Sequence, residues 1–555
     1  MKRTGARGEG KFTPISWDEA ITAVSQKVHA ANPSKIAFIT SPQQGTRLLN
    51  INQFLKALGA PAAATCSLAD FALERKAAEI AFGWQGIPRY DLASARYVLG
   101  VGADFLGSWV SPVYYARQYG HFRQGRPGLR GKLVQAESRM SLTAASADEW
   151  LPVRPGFEPH LLAAITQIIQ NQNENLADLI HATGLLEKRL RRIAQELHDS
   201  EAPLVIAGAS IVQSNSLNAL IAAHHLNAQL GNIGRLVLPP TPSTATPAAN
   251  LKDIQLLFLD GVNPVYTHTL SIANIETIIS FGNFTDDSTA FADLILPDHH
   301  ALESEYAVIP PVASTQVAFT VAEPFVRPLY NTRALPQTLA DIAKTQPITP
   351  QQLIEPLLKE GETWTAVAEQ GGLWRDETPP KPPAQLSRDR EGAVPLDLSP
   401  TPAQFTGDPT QYPLHFQPYL SLQYHDGRAA NLPWMQELPD PTSSAMWGLP
   451  IEIDPHTASS LNLTTGDWVR VESPHGSLDA QAYIHPAALP GVVSMAIGDG
   501  HTTYGRYASN RGANPLSLLA ANAPTRVRLS KLNGKPANLI QFSPNDREQG
   551  PWGYR

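Results

Sequence analysis

The sequence predicts an α/β protein, with parallel sheets flanked by helices over most of its length and a small β-barrel at its C-terminal end. Three observations predict it. Short apolar runs that end in glycine, such as RYVLGVG and APLVIAG, are followed by helical stretches, the alternation that builds parallel sheets. Beyond about Phe405 the rhythm changes to short alternating strands separated by turn residues. With 555 residues, 43% hydrophobic and 17% charged, the chain can fill more than one core, so two to four domains are expected.

The elements follow in order. In GARGEGKFTPISWDEAITAVSQKV, Ser16 is a helix N-cap with Glu19 three residues on, the pattern of a capping box. RYVLGVGADFL reads as a buried strand and a glycine turn, and GKLVQAESRMSLTAASADEWLPVRPGFEPHLLAAITQII as strand, loop, short strand and helix. APLVIAGASIV opens another strand–turn–helix unit that ends at the Gly231-Asn232-Ile233-Gly234 turn. Ligands of open parallel sheets sit beyond the carboxyl ends of the strands. The loops starting at Gly102, Glu137, Gly208 and Gly261 are therefore the places to look, each glycine being otherwise a tight turn. Asp104 and Arg139 stand at such strand ends.

Composition sets the domain boundaries. Residues 1–62 and 250–343 are expected to form one split α/β domain, with 63–249 inserted as a second and 405–555 forming the barrel. Residues 344–404 are expected to hold a helical segment and a linker. PPTPSTATP at 239–247 reads as a stiff connector. Residues 378–402 carry too many prolines and charges to pack, and read as disordered.

In the barrel, strands are expected at Ile451–Ile453, Trp468–Glu472, 481–484 and Val492–Ile497, with turns at Thr465-Gly466-Asp467, Pro474-His475-Gly476 and Pro490-Gly491. A short helix over 456–461 is started by Asp454-Pro455. The last strand delivers IGDGHTTYGRYASNRGANPL, residues 497–516, to one rim. Glycines there allow close backbone approach, Arg506 and Arg511 offer planar forks for phosphate or carboxylate, and His501, Thr502, Thr503, Tyr504 and Asn514 add donors. Such a run also suits a solvated surface loop.

A net charge of −7 without a basic stripe gives no reason to expect nucleic acid. No apolar run approaches the roughly 20 residues of a membrane span, and no apolar segment of signal-peptide type follows the N-terminal basic residues. The single cysteine, Cys66, excludes a disulfide within the chain and cannot by itself hold a four-iron cluster.

Taken together, these segments resemble the molybdopterin oxidoreductases of the dimethyl-sulfoxide-reductase superfamily. The barrel is similar to that family's double-psi barrel, FLDGVNPVYTHT and FADLILPDHHALE are similar to its Gly-x-Asn-Pro and Ala-Asp-x-x-Leu-Pro signatures, and the N-terminal stretch to the start of its second domain. The resemblance implies a site for molybdopterin guanine dinucleotide at Asp104, Arg139, Asn263, Pro264, Asp298, His501, Tyr504, Arg506 and Asn514. Ser141 and Thr143 match the segment after the family's ribose-contacting loop, whereas Asp148, Glu149 and Arg154 suit an ordinary salt-bridged surface. Cys66 stands roughly where relatives carry the metal ligand, and is otherwise a small buried hydrophobe. The family's N-terminal iron–sulfur domain is expected to be absent, the chain opening near where that domain would end, as in a split subunit or a fragment.

LHFQPYLSLQYHDGRAANLPWMQELPDPTSSAMWGLPIEI and FLGSWVSPVYYARQYGHFRQG look most like the B subunit of alternative complex III and the related menaquinone reductases. The resemblance implies a scaffold subunit of a respiratory quinol-linked complex, held peripherally on the membrane by an iron–sulfur protein and quinone-interacting membrane subunits. The periplasmic face is the side implied. The other reading is an active molybdopterin enzyme with Cys66 on the metal.

Overall fold

The computed structural model describes residues 1–542 apart from 125–129, 213–214, 241–246, 311–315, 377–399, 401–402, 521–522 and 536–538. Most of the connector at 239–247 and of the proline-rich segment at 378–402 thus lies outside the described residues.

Two α/β sheets, the first parallel except for its antiparallel edge strands Lys2–Arg3 and Phe12–Thr13, and a closed barrel make up the body of the described residues. The first sheet has seven strands, in the order Phe12–Thr13, Lys2–Arg3, Leu294–Ile295, Thr277–Ser280, Leu256–Asp260, Ile36–Thr40 and Ala64–Thr65. Ile36–Thr40 runs parallel to Leu256–Asp260, with Thr40 opposite Asp260, so the chain leaves this sheet near residue 65 and returns to it near 256. Its centre is aromatic: Phe38 stacks on Phe258 at 5.5 Å and Phe54 meets Phe258 edge-on at 5.4 Å. The helix Trp17–Ala30 covers this sheet, and Ser16 Oγ accepts the Glu19 N–H at its start.

The second sheet is fully parallel, in the order Glu149–Pro152, Lys132–Glu137, Tyr97–Val101 and Pro203–Ala207. Every residue of Tyr97–Val101 and Pro203–Ala207 is buried, as expected for strands covered on both faces and for the unbroken apolar runs that encode them. The helices Ala72–Phe82, Glu158–Ile169 and Ser216–Gln229 surround it.

The barrel closes in the order Leu414–Leu420, Val492–Ile497, Ile451–Ile453, Ser477–Ile484, Trp468–Glu472 and Thr525–Lys531. Alternate residues of Leu414–Leu420 point inward, where Phe416, Ile451, Val469 and Val493 form the core. The strand expected at 481–484 begins earlier, at Ser477, because Gly476 turns the chain straight into pairing with Trp468–Glu472. The expected short helix is Pro455–Ser460, with Asp454 Oδ1 accepting the His456 and Thr457 N–H groups.

One element was not foreseen. Gly372–Asp376 pairs with Gln316–Ala322, which also pairs with Tyr306–Val308, giving a small three-stranded sheet that ties the segment read as helix and linker to residues before it. Its five residues, GLWRD, are too short and too mixed to announce a strand.

Candidate functional site

The carboxyl ends of both parallel sheets face the barrel, and two clefts lie along this junction. The loops that start at Gly102, Glu137 and Gly208 open into the first, while the loop at Gly261 opens into the second. Gly102 has φ +67°, and a Cβ there would stand 3.1 Å from the Gly208 carbonyl, so two neighbouring strand ends approach closely only because both are glycine.

The first cleft is spanned by one buried ion pair. Arg139 donates through Nε and Nη2 to both oxygens of Glu452, at 2.9 and 3.0 Å, and its guanidinium lies 3.4 Å over the Tyr419 ring. Tyr419 OH donates to the same carboxylate at 3.0 Å. The fork expected to serve a ligand phosphate is therefore engaged by the barrel's own acid. Asp104 likewise turns inward, its Oδ1 accepting Thr143 N–H and Oγ1–H at 3.1 and 2.7 Å.

Acceptors dominate the rest of the lining. Glu137 accepts from Ser141 N–H at 2.7 Å and Gln135 Nε2 at 3.0 Å, and burial, with Asp104 nearby, pushes it up to about 7. Burial pushes Glu158 up to about 7 as well, at the start of the helix Glu158–Ile169. Glu74 accepts Trp109 Nε1–H and Ala209 N–H and is also raised by burial. Sequence reasoning reaches Glu137 only as the start of a loop and misses Glu74 and Glu158; an acid at the end of a buried strand or in the first turn of a helix is the available signal.

The second cleft collects Asn263, Asp298, His501, Tyr504 and Cys66, together with Arg47, Asp260, Asp426 and Arg428. Arg47 bridges two acids, pairing with Asp260 and with Asp298, the latter at 2.6 Å. Asp298 Oδ1 also accepts Leu335 N–H at 2.7 Å. Asn263 spends its amide internally: Nδ2 donates to Asp287 at 3.0 Å, and Oδ1 accepts from Ser288 N–H and Oγ–H at 3.1 and 2.6 Å. Pro264 opens the turn that follows, its carbonyl accepting Thr269 N–H at 3.3 Å.

The rim run 497–516 turns toward the protein. His501 Nδ1 donates to Asp287 Oδ2 at 2.6 Å, while Thr502 N–H, Thr502 Oγ1–H and Thr503 N–H donate to Oδ1 at 2.7, 2.7 and 3.1 Å. Burial opposes the charge on Asp287, but the donation from His501 and the threonines holds it well below the usual carboxylate range. Tyr504 OH donates to the Arg428 carbonyl at 2.6 Å, and Asn514 Nδ2 to the Tyr266 carbonyl at 2.8 Å. The glycines serve this packing: a Cβ on Gly500 would strike the Asn514 backbone and one on Gly512 the Asp499 side chain. Arg506 is exposed beside Tyr507 and Arg511 beside Trp447, and neither lines the two clefts. The turn Gly505–Ala508 carries Arg506 outward.

Cys66 Sγ lies 2.8 Å from Thr269 Oγ1, and burial pushes its thiol up, the hydrogen bond to Thr269 only partly offsetting that. Among the described residues no group of three or more His, Cys, Asp or Glu side chains is placed to hold a metal ion. Asp148 pairs with Arg123, and Glu149 with Arg189 and Arg192, so the acids read as surface ion pairs are engaged in that way.

Comparison with known proteins places this geometry. Residues 1–345 match the molybdopterin oxidoreductase family, and residues 434–537 match the molydopterin dinucleotide binding domain. The chain is 24% identical to the menaquinone reductase, molybdopterin-binding-like subunit of Nitratidesulfovibrio vulgaris, over 98% of this chain and 84% of that one. It is 21% identical to the arsenate respiratory reductase molybdopterin-containing subunit of a Shewanella species, over 92% and 82%. Among solved structures, acetylene hydratase from Pelobacter acetylenicus superposes with a TM-score of 0.75 at 15% identity, covering 96% of this chain and 91% of that one, a likeness of fold.

Proposed function

The chain belongs to the molybdopterin oxidoreductase family, and from that premise we propose that it is the molybdopterin-fold subunit of a respiratory quinol-linked electron-transfer complex, a scaffold whose iron–sulfur clusters and quinone site sit on partner chains. One observation carries the scaffold role: the barrel-rim donors of His501, Thr502 and Thr503 are spent on the chain's own Asp287. Cys66 is half-buried, with its thiol 2.8 Å from Thr269 Oγ1. The near full-length match to a menaquinone reductase subunit supports the quinone-linked setting. No helix among the described residues is long and apolar enough to cross a membrane, and in this reading attachment runs through the partners.

The family's dinucleotide fits the two clefts unequally. In the first, Glu137 and Glu158 are buried acceptors suited to the amino, imino and hydroxyl donors of a guanine nucleoside, and Ser138, Ser141 and Ser210 line the same space. No unpaired cation lines that cleft among the described residues, its single arginine being held by Glu452. In the second, the donors that would meet an anionic ligand are already paired. When bound, the group supplies two-electron redox chemistry at a pterin-held metal. This chain's residues would hold and orient its nucleoside end.

The second reading, an active enzyme with Cys66 as metal ligand, is favoured by the acceptor set of the first cleft and by the dinucleotide-binding match over residues 434–537. Purification of the tagged chain from mildly solubilised native membranes tests the scaffold reading. Companion chains carrying clusters and membrane spans are expected; recovery of the full-length chain alone from the soluble fraction would contradict it.

A further inference from the structure

Residues 323–331, which follow the strand Gln316–Ala322, form a strap that is exposed throughout. Phe325, Val326, Leu329 and Tyr330 are 85%, 46%, 77% and 76% exposed, and Leu302, against which the strap lies, is 55% exposed. Single apolar residues on a surface are ordinary, whereas five gathered in one place mark a surface that meets something. The strap is held in position by hydrogen bonds. Phe325 N–H and Val326 N–H donate to the Leu302 carbonyl at 2.8 and 3.1 Å, and Leu329 N–H donates to Glu303 Oε1 at 2.9 Å. At its far end Trp17 Nε1–H donates to Asn331 Oδ1 at 3.2 Å. These anchors present the apolar side chains outward before any partner arrives, which lowers the ordering cost of association. None of the residues of the strap lines either cleft.

The ground beside the strap is acidic. Tyr306 stands opposite Ala322 in the antiparallel pair that leads into it, so the next rung sets Glu305 against Glu323. Like charges directly opposite each other destabilise such a pair, and among the described residues no cation is paired with either. Partial desolvation, and after it Glu323, raise the Glu305 carboxyl above its ordinary range. With Glu303, the surface carries three carboxylates against Arg327, and Arg333 beyond it is held by Asp341.

This charge selects the occupant. An anionic lipid surface is repelled by it. A second copy related by a two-fold axis would set the same acids against each other. A protein surface that carries lysine or arginine beside an apolar groove satisfies both the exposed side chains and the facing glutamates.

We propose that residues 302–305 and 323–330 form the docking surface for a companion subunit whose apolar groove takes Phe325 and Leu329 and whose basic residue bridges Glu305 and Glu323. The inference deepens the scaffold reading, on which it rests for the existence of that companion.

Tagged full-length chains purified from mildly solubilised native membranes test it, with companion content per chain as the readout. Phe325→Ala combined with Leu329→Ala should lower that content at least about tenfold. Glu305→Lys gives Glu323 a partner within the chain, so it should lower companion content at least about threefold while leaving the melting temperature no lower than that of the native chain. A photoreactive phenylalanine analogue in place of Tyr330 should cross-link to a companion peptide that contains lysine or arginine, read by mass spectrometry. Unchanged companion content in either variant overturns this proposal and leaves the scaffold reading standing, whereas a native chain recovered without companions removes both. The isolated native chain is also tested on phosphatidylcholine–phosphatidylglycerol vesicles and by sedimentation. Vesicle binding or dimerisation that the double alanine variant loses would assign the strap to lipid or to a second copy, and either result overturns the proposal.

Discussion

Replacing Glu452 by glutamine should loosen the joint between the second parallel sheet and the barrel. The Arg139 and Glu452 side chains are 13% and 4% exposed, and the carboxylate accepts both guanidinium contacts as well as Tyr419 OH. Breaking a buried pair by removing one partner costs about 3–5 kcal/mol, because the other charge is left uncompensated. The lower end applies here, since glutamine keeps one acceptor oxygen and the Tyr419 face, 3.4 Å away, still stabilises the cation. A single unfolding free energy is poorly defined for a chain of several domains, so hydrogen exchange resolved by segment is the suitable assay. At 1.4 kcal/mol per tenfold, protection in Ile451–Ile453 and in residues 138–144 should fall about 100-fold, with the first sheet unaffected. Adding Arg139→Met to Glu452→Gln removes the orphaned charge and should restore most of the loss. A fall below tenfold in the single variant would refute the reasoning.

Glu137 has a folded pKa of about 7 against an ordinary value of 4.5. It stays protonated in the fold while it would ionise in the unfolded chain, so its stability contribution is complete below about pH 4.5 and is lost as pH rises to about 7. The loss is at most ~3 kcal/mol, and Glu137→Gln should flatten the fall of melting temperature between those pH values. Asn263→Ala strands the Ser288 donors and deprives Asp287 of one donor, and should cost about 2–3 kcal/mol by denaturant titration. Arg506→Ala, at an exposed position, should stay within about 0.5 kcal/mol in the same titration. The half-buried Cys66 thiol, its pKa raised chiefly by desolvation, should react with a disulfide reagent at pH 8 at least about tenfold more slowly than a free thiol; reaction at the free-thiol rate would contradict that environment.

The α/β class and the barrel were legible because strands covered on both faces, such as Tyr97–Val101 and Pro203–Ala207, write themselves as apolar runs, and because Asp454-Pro455 and Ser16 are local caps. The clefts were legible as places, since strand ends carry glycines and polar groups. The use of each side chain was not. Arg139 and Glu452 are 313 residues apart and Asp287 and His501 are 214 apart, and no local pattern announces either pair. Composition told only that residues 497–516 would meet something polar; that the partner is the chain's own aspartate emerges from the packing of two domains. Gly372–Asp376 was missed because a five-residue edge strand has no periodicity to read.

Molybdenum and pterin, quantified in the complex purified through this chain from native membranes, test the central claim most directly. A scaffold whose rim donors are spent on its own Asp287 predicts molybdenum far below one per chain and no released pterin. One molybdenum per chain, accompanied by pterin, would contradict it.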